Sequence, residues 1–187
     1  MENEVLLQVK GLSFTYGEEP VLKDVNLIIR RGERIAVMGS NGAGKSTFFL
    51  NLNGVLRPDS GEILLCGSKI GKKELNLLRK KVGFVFQDAD SQIIAANVWA
   101  EISFGPMNLG LERREVIRRV DAAVSYLGLE ELQQRAPHYL SGGEKKQVSI
   151  SGVVVMKPEI LLFDEPTASL DWKNTQLFKE QLKKLEQ

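Results

Sequence analysis

The sequence has 187 residues, 43% of them hydrophobic, a size at which a chain buries about two-thirds of its unfolded surface in a single compact domain. Lys and Arg number 25 against 24 Asp and Glu, a formal charge of +1 that supplies no field to attract a polyanion, so no nucleic-acid partner is expected. No apolar run approaches the ~20 residues of a membrane-spanning helix, the Met1-Glu2-Asn3-Glu4 start lacks the pattern of a secretory signal, and the single cysteine, Cys66, excludes an intrachain disulfide and is expected to be a buried core residue.

Val5–Tyr16 and Val21–Ile29 are rich in β-branched, aliphatic and aromatic residues around a Gly17-Glu18-Glu19-Pro20 break, which predicts two antiparallel strands joined by a turn. Arg34–Met38 is expected to be a short apolar strand, leading through a glycine-rich loop into a helix over Lys45–Asn53. Strands are predicted at Glu62–Cys66 and Val82–Phe86 with a helix at Glu74–Lys80 between them. From Val98 to Lys157 the α/β pattern gives way to helical periodicity, expected to be an inserted helical subdomain at 98–157 within one 1–187 domain. In Glu112–Leu127 the residues Val116, Val120, Val124 and Leu127 recur at helical spacing, Arg113, Arg114, Arg118 and Arg119 read as a solvated face, and Gly128 can end the helix. Ile160–Phe163 is a strand and Lys173–Gln187, with Phe178, Leu182 and Leu185 in phase, a last helix. The fold class is α/β.

Gly39-Ser40-Asn41-Gly42-Ala43-Gly44-Lys45-Ser46-Thr47 satisfies G-x-x-x-x-G-K-[ST]. Glycines let the backbone turn tightly and aim its N–H groups inward, and the following helix adds its positive end, so phosphate oxygens meet a ring of donors. Lys45 would reach the β- and γ-phosphates and Ser46 would ligate Mg²⁺.

Four further segments follow in order: Gln87 after a strand; Leu140-Ser141-Gly142-Gly143-Glu144; Ile160–Phe163 ending in Asp164-Glu165; and Ser169-Leu170-Asp171. With the phosphate loop they make the chain resemble the ATP-binding cassette superfamily over nearly its whole length, the second segment matching the signature motif with Glu144 where Gln is common. The resemblance implies a P-loop NTPase core with an antiparallel N-terminal part and a helical insert, binding ATP and Mg²⁺. It implies that Asp164 and Gln87 attend Mg²⁺, that Glu165 is the general base for the attacking water, and that Ser141 to Glu144 contact the γ-phosphate held by a facing subunit. Tyr16 lies where the family places an aromatic against adenine, and Ser169 and Asp171 fall in the dimer-facing D-loop. Each has a plainer reading: Ser141 and Glu144 form an S-x-x-E capping box, Asp164-Glu165-Pro166 a solvated turn, Tyr16 an edge-strand tyrosine, Asp171 a helix N-cap.

Gln87-Asp88-Ala89-Asp90-Ser91-Gln92, Phe104 to Leu111, Pro137-His138-Tyr139-Leu140 and Glu144-Lys145-Lys146 are similar to the cobalt, nickel and energy-coupling-factor branch. That likeness implies the motor subunit of a metal-ion or vitamin importer, cytoplasmic and peripheral on the membrane. It would be paired with a second ABC ATPase subunit, the same chain or a paralogue, and with an integral membrane subunit docking near Ile93, Ile94, Trp99 and Phe104, unless those four are core of the helical insert. The family normally continues to a strand carrying a γ-phosphate histidine, whereas the single histidine here, His138, precedes the signature segment and reads as structural. The chain is therefore either part of a longer one or lacks that element. Slow ATPase turnover is expected, the alternative being a nucleotide-binding and dimerising module with little or none. Gln147 in place of Arg and Trp172 in place of Pro are smaller departures, the first a threat to signature-helix packing.

Overall fold

The computed structural model describes residues 4–168 and 170–184. The chain is organised as two units: one runs to Phe84 and includes Glu159–Asp164, the other takes Val85–Pro158 and the residues from Glu165 onward.

In the first unit, β1 (Val5–Tyr16) and β2 (Glu19–Arg30) form an antiparallel hairpin with Tyr16 opposite Glu19. Leu7 and Val9 face the core, and beyond a bulge so do Leu12 and Phe14, so the inward set changes from odd to even positions. One extra residue in a bulge resets a period-2 pattern in this way. It is held by Gly11 N–H donating to Asn26 Oδ1 at 2.9 Å and Asp24 N–H to Ser13 Oγ at 3.0 Å. On the other edge of β1 lies β3 (Ser60–Leu65), pairing Leu7 with Leu65 and Val9 with Ile63. A Cβ on Gly61 would fall 2.4 Å from the Gly11 carbonyl oxygen, so only glycine lets these backbones pass.

β3 turns back into the two-residue β4 (Ser68–Lys69) through Cys66-Gly67, both at positive φ (48° and 80°), the signature of a type I′ hairpin. This corrects the expectation for Cys66: the side chain is exposed at the turn, its N–H donating to the Leu6 carbonyl. Local turn geometry, rather than the burial tendency of cysteine, decides its position.

A second correction concerns Arg34–Met38, which forms no strand; Ile35 is 44% and Met38 90% exposed. A β-strand is defined by its ladder, and no strand pairs with this segment among the described residues, so apolar composition alone does not make it a strand. α1 (Lys45–Leu52) follows the glycine loop, and α2 (Leu75–Lys81) leads into β5 (Val82–Val85), which forms a two-stranded sheet with β6 (Ile160–Phe163). Every residue of β5 is buried, as its unbroken apolar run requires.

The second unit is built on α3 (Val98–Asn108), α4 (Arg113–Leu127), α5 (Gly142–Val154) and α6 (Trp172–Lys184). Asn97 caps α3, its side chain accepting from Ala100 N–H at 2.8 Å. Val116, Val120, Val124 and Leu127 of α4 are buried as their spacing predicts, and Gly128 ends the helix at φ 68°. Of the four arginines on α4, Arg119 departs from the expected solvated face: its side chain is 18% exposed and bonds Glu115 at 2.7 Å. α5 packs on α3 and α4 and stays regular through Gln147, whose carbonyl accepts from Ser151 Oγ, so the missing arginine does not disturb the helix.

Candidate functional site

In the first unit the glycine loop ends at Gly44, which caps α1 in the left-handed conformation (φ 86°, ψ 10°). A Cβ there would meet Leu22 and Val21 side-chain carbons at 3.0 Å and the Val21 carbonyl at 3.2 Å, so both backbone angle and packing demand glycine. Gly42 is also left-handed (φ 80°). Two left-handed glycines within three residues turn the chain so that the loop enters the positive end of a helix. The half-buried Lys45 folds its ammonium back on the loop, donating to the Gly39 and Ser40 carbonyls at 3.0 Å each. Ser40, Asn41, Ala43 and Ser46 are exposed to differing degrees, whereas Thr47 is buried in the first turn. The same unit holds Asp164, 6% exposed at the end of β6, and Tyr16, half-exposed and packed edge-on against Phe14 (4.9 Å, 86°).

In the second unit Gln87 and Glu165 meet: Gln87 Nε2 donates to Glu165 Oε2 at 2.9 Å. Glu165 is exposed and lies at φ 41°, a left-handed backbone that costs a residue with a side chain of order 1–3 kcal/mol and tends to cluster at functional sites. The adjacent carboxylates thus differ in setting, Asp164 buried and Glu165 open to solvent.

Ser141 begins α5 with a complete capping box. Glu144 N–H donates to Ser141 Oγ at 3.3 Å, and Ser141 N–H donates to Glu144 Oε2 at 2.7 Å. The Ser141 backbone bond, then its hydroxyl, holds the Glu144 carboxyl below its ordinary range. Ser141 and Gly142 are exposed, so the first turn presents N–H groups outward. Asp171 immediately precedes α6 and its carbonyl accepts from Thr175 N–H; Ser169 lies outside the described residues. His138 is exposed on a single 3₁₀ turn, its ring 4.1 Å from that of Tyr139.

In the sequence Lys146 stands only as part of a subfamily segment, with no role of its own. Its side chain is buried, the residue 4% exposed, and its ammonium donates to the carbonyls of Phe86 at 2.7 Å and Gln87 at 2.9 Å. Helical spacing held the clue, since Lys146 shares a face with the buried Ile150 and Val153.

The ABC transporter family profile matches residues 22–168, most of the chain and all of the glycine loop, Gln87, the capping box and the paired carboxylates. The chain belongs to the ABC transporter family. This ABC chain is 48% identical over 169 residues to the energy-coupling factor transporter ATP-binding protein EcfA of Methanothermobacter thermautotrophicus, covering 89% of this chain and 54% of the relative. It is 47% identical over 174 residues to the cobalt import ATP-binding protein CbiO of Rhodobacter capsulatus, covering 91% and 62%. Among solved structures, CbiO1 of Clostridium perfringens, part of the CbiONQ ABC transporter complex, superposes with a TM-score of 0.86 at 41% identity, covering all of this chain and 74% of that one. The chain therefore spans only about half to three-fifths of the curated relatives' length. No helix among the described residues is long and apolar enough to cross a membrane.

Proposed function

We propose that this chain is the ATP-binding and ATP-hydrolysing motor subunit of a membrane importer of metal-ion or vitamin type, active as a dimer with composite nucleotide sites. Lys45 swings from its loop carbonyls to the β- and γ-phosphates, the loop N–H groups bind the remaining oxygens, and Tyr16 stacks on adenine. In the first unit Ser46 offers a hydroxyl and Asp164 a buried carboxylate, and in the second Gln87 offers an amide oxygen, each a hard donor of the kind Mg²⁺ takes. When bound, Mg²⁺ neutralises charge building on the phosphoryl oxygens. Glu165 takes a proton from the water that attacks the γ-phosphorus, the bond to the β-phosphate oxygen breaks, and ADP and phosphate leave. Ser141 through Glu144 of a facing copy or paralogue complete the site, with Ser169 and Asp171 at that interface.

What supports turnover, beyond binding, is the Gln87–Glu165 hydrogen bond on a left-handed Glu165 backbone, which holds an exposed carboxylate in one pose. The surface after Gln87, running into the helical subdomain at 98–157, would receive the membrane subunit at the cytoplasmic face. Ile94 (70% exposed) and Phe104 (49%) are open for that docking, while Ile93 and Trp99 are half-buried.

The test is Glu165→Gln. Turnover should fall at least ~10²-fold, the scale seen when one group acting on the transition state is removed, while affinity for a non-hydrolysable ATP analogue stays within a few-fold. An unchanged ATPase rate would reject hydrolysis and leave the alternative of a nucleotide-binding, dimerising module. Lys45→Ala should abolish nucleotide binding in either case.

A further inference from the structure

Two segments more than fifty residues apart, Gln87 to Gln92 and Glu144 to Lys146, meet in the second unit. Three ties join them. Lys146 Nζ donates to the carbonyls of Phe86 and Gln87. Gln92 reaches both ways, its Oε1 accepting from Phe86 N–H at 3.0 Å and its Nε2 donating to the Ser149 carbonyl at 3.3 Å. At the rim, Lys145 Nζ pairs with Asp90 Oδ1 at 2.7 Å. The Phe86–Gln87 segment is thus gripped at the Phe86 N–H and at two successive carbonyls by groups belonging to, or anchored on, α5.

These ties differ in character. Lys145–Asp90 has its carboxylate in solvent and is of the exposed kind that contributes little. The Lys146 ammonium is buried, and a desolvated charge is tolerable only where its donors are satisfied. Any displacement of the Phe86–Gln87 backbone from α5 would take two acceptors from that buried charge, which favours one arrangement of loop and helix. The chain of contact then continues outward, since the Gln87 side chain donates to Glu165. α5 also begins at Ser141, little more than one turn before Lys146.

We infer that Lys146 is a positioning residue: by clamping the Phe86–Gln87 peptide to the helix that starts at Ser141, it sets the pose of the Gln87 side chain and, through it, of the Glu165 carboxylate. The inference rests on the proposed ATPase reading for its catalytic consequence but not for the clamp itself. It gives one physical purpose to two segments that, in the sequence, stand only as separate marks of a subfamily. Lys146 touches neither nucleotide nor water in this scheme; it acts through Gln87.

The experiment compares Lys146→Met, Gln87→Ala and the double variant in the full chain, by ATP turnover and by amide hydrogen exchange over residues 86–92. Lys146→Met keeps the length of the stem and removes the charge. It should lower kcat at least ~10-fold with KM for ATP within about threefold, since the phosphate loop is untouched, and in the Gln87→Ala background it should cost less than about twofold. Exchange over 86–92 should rise at least ~10-fold while that of Val5–Tyr16 stays unchanged. Independent, multiplicative losses in the two backgrounds, or unchanged exchange over 86–92, would overturn the proposal. If wild type itself does not turn over ATP, the functional reading fails and the clamp is judged on exchange alone. Should Lys146→Met not fold, Lys146→Gln, which keeps one amide donor, takes its place under the same criteria.

Discussion

Gly44→Ala places a single methyl group where two independent constraints act. The left-handed conformation at φ 86° costs an L-residue ~1–2 kcal/mol. The new Cβ would also press on Leu22 and Val21 at 3.0 Å and on the Val21 carbonyl at 3.2 Å, an overpacking of ~1–3 kcal/mol. Together they amount to ~3 kcal/mol, which for a chain of this size lowers Tm by about 6–12 °C. If half of that strain must be met again when the loop closes on phosphate, nucleotide affinity falls ~10-fold. Gly17→Ala is the matched control: its φ is 61°, but a Cβ there meets nothing within 4 Å, so only the backbone cost of ~1 kcal/mol applies, a shift of about 2–4 °C with affinity unchanged. Thermal melts with titration of a fluorescent ATP analogue read both quantities. The reasoning is refuted if Gly44→Ala melts and binds like Gly17→Ala, because the close approach of β2 to the loop would then carry no energy.

Gly61→Ala should be among the most damaging single-methyl additions, ~3 kcal/mol or more, because the new Cβ would sit 2.4 Å from a backbone oxygen that cannot rotate away; denaturant midpoints measure it. Ser141→Ala removes the N-cap of α5 and should cost ~1 kcal/mol in a denaturant melt, and its effect on turnover should exceed what that loss explains. Hydrogen bonds from Arg118 and Arg119 hold the Glu115 carboxyl down to about 2. A carboxyl with a depressed folded pKa contributes stability that is fully present above its unfolded value near 4.5 and is lost as pH falls toward 2. Glu115→Gln should therefore flatten the Tm profile between those limits and leave its slope near neutrality unchanged. An identical acid-side slope in the variant would assign that stability to other carboxylates.

Much of this protein is legible in its sequence, for reasons that differ by element. The β1–β2 hairpin and the α4 stripe of Val116, Val120, Val124 and Leu127 follow from local periodicity, which survives whatever surrounds it. The glycine loop is legible because its backbone angles admit almost no other residue. Arg34–Met38 misleads for the opposite reason: its composition suits a strand, but strand formation is a property of two segments and no second one pairs with it among the described residues. Cys66 misleads because a residue-type tendency is set against a specific two-residue turn, and the turn prevails. Charge alone assigns the Arg119 side chain to solvent, yet its bond to Glu115 lets it lie mostly covered.

Sequence by itself determined the family, the glycine loop, the order of the marked segments and the cap at Ser141, since each is encoded within a few consecutive residues by backbone conformation or side-chain reach. Tertiary structure alone decided which distant groups touch: Gln87 with Glu165, 78 positions apart, and Lys146 with the Phe86 and Gln87 carbonyls. Those contacts join segments through packing, where the energy of burying a charge or aligning an amide depends on partners that no local pattern specifies.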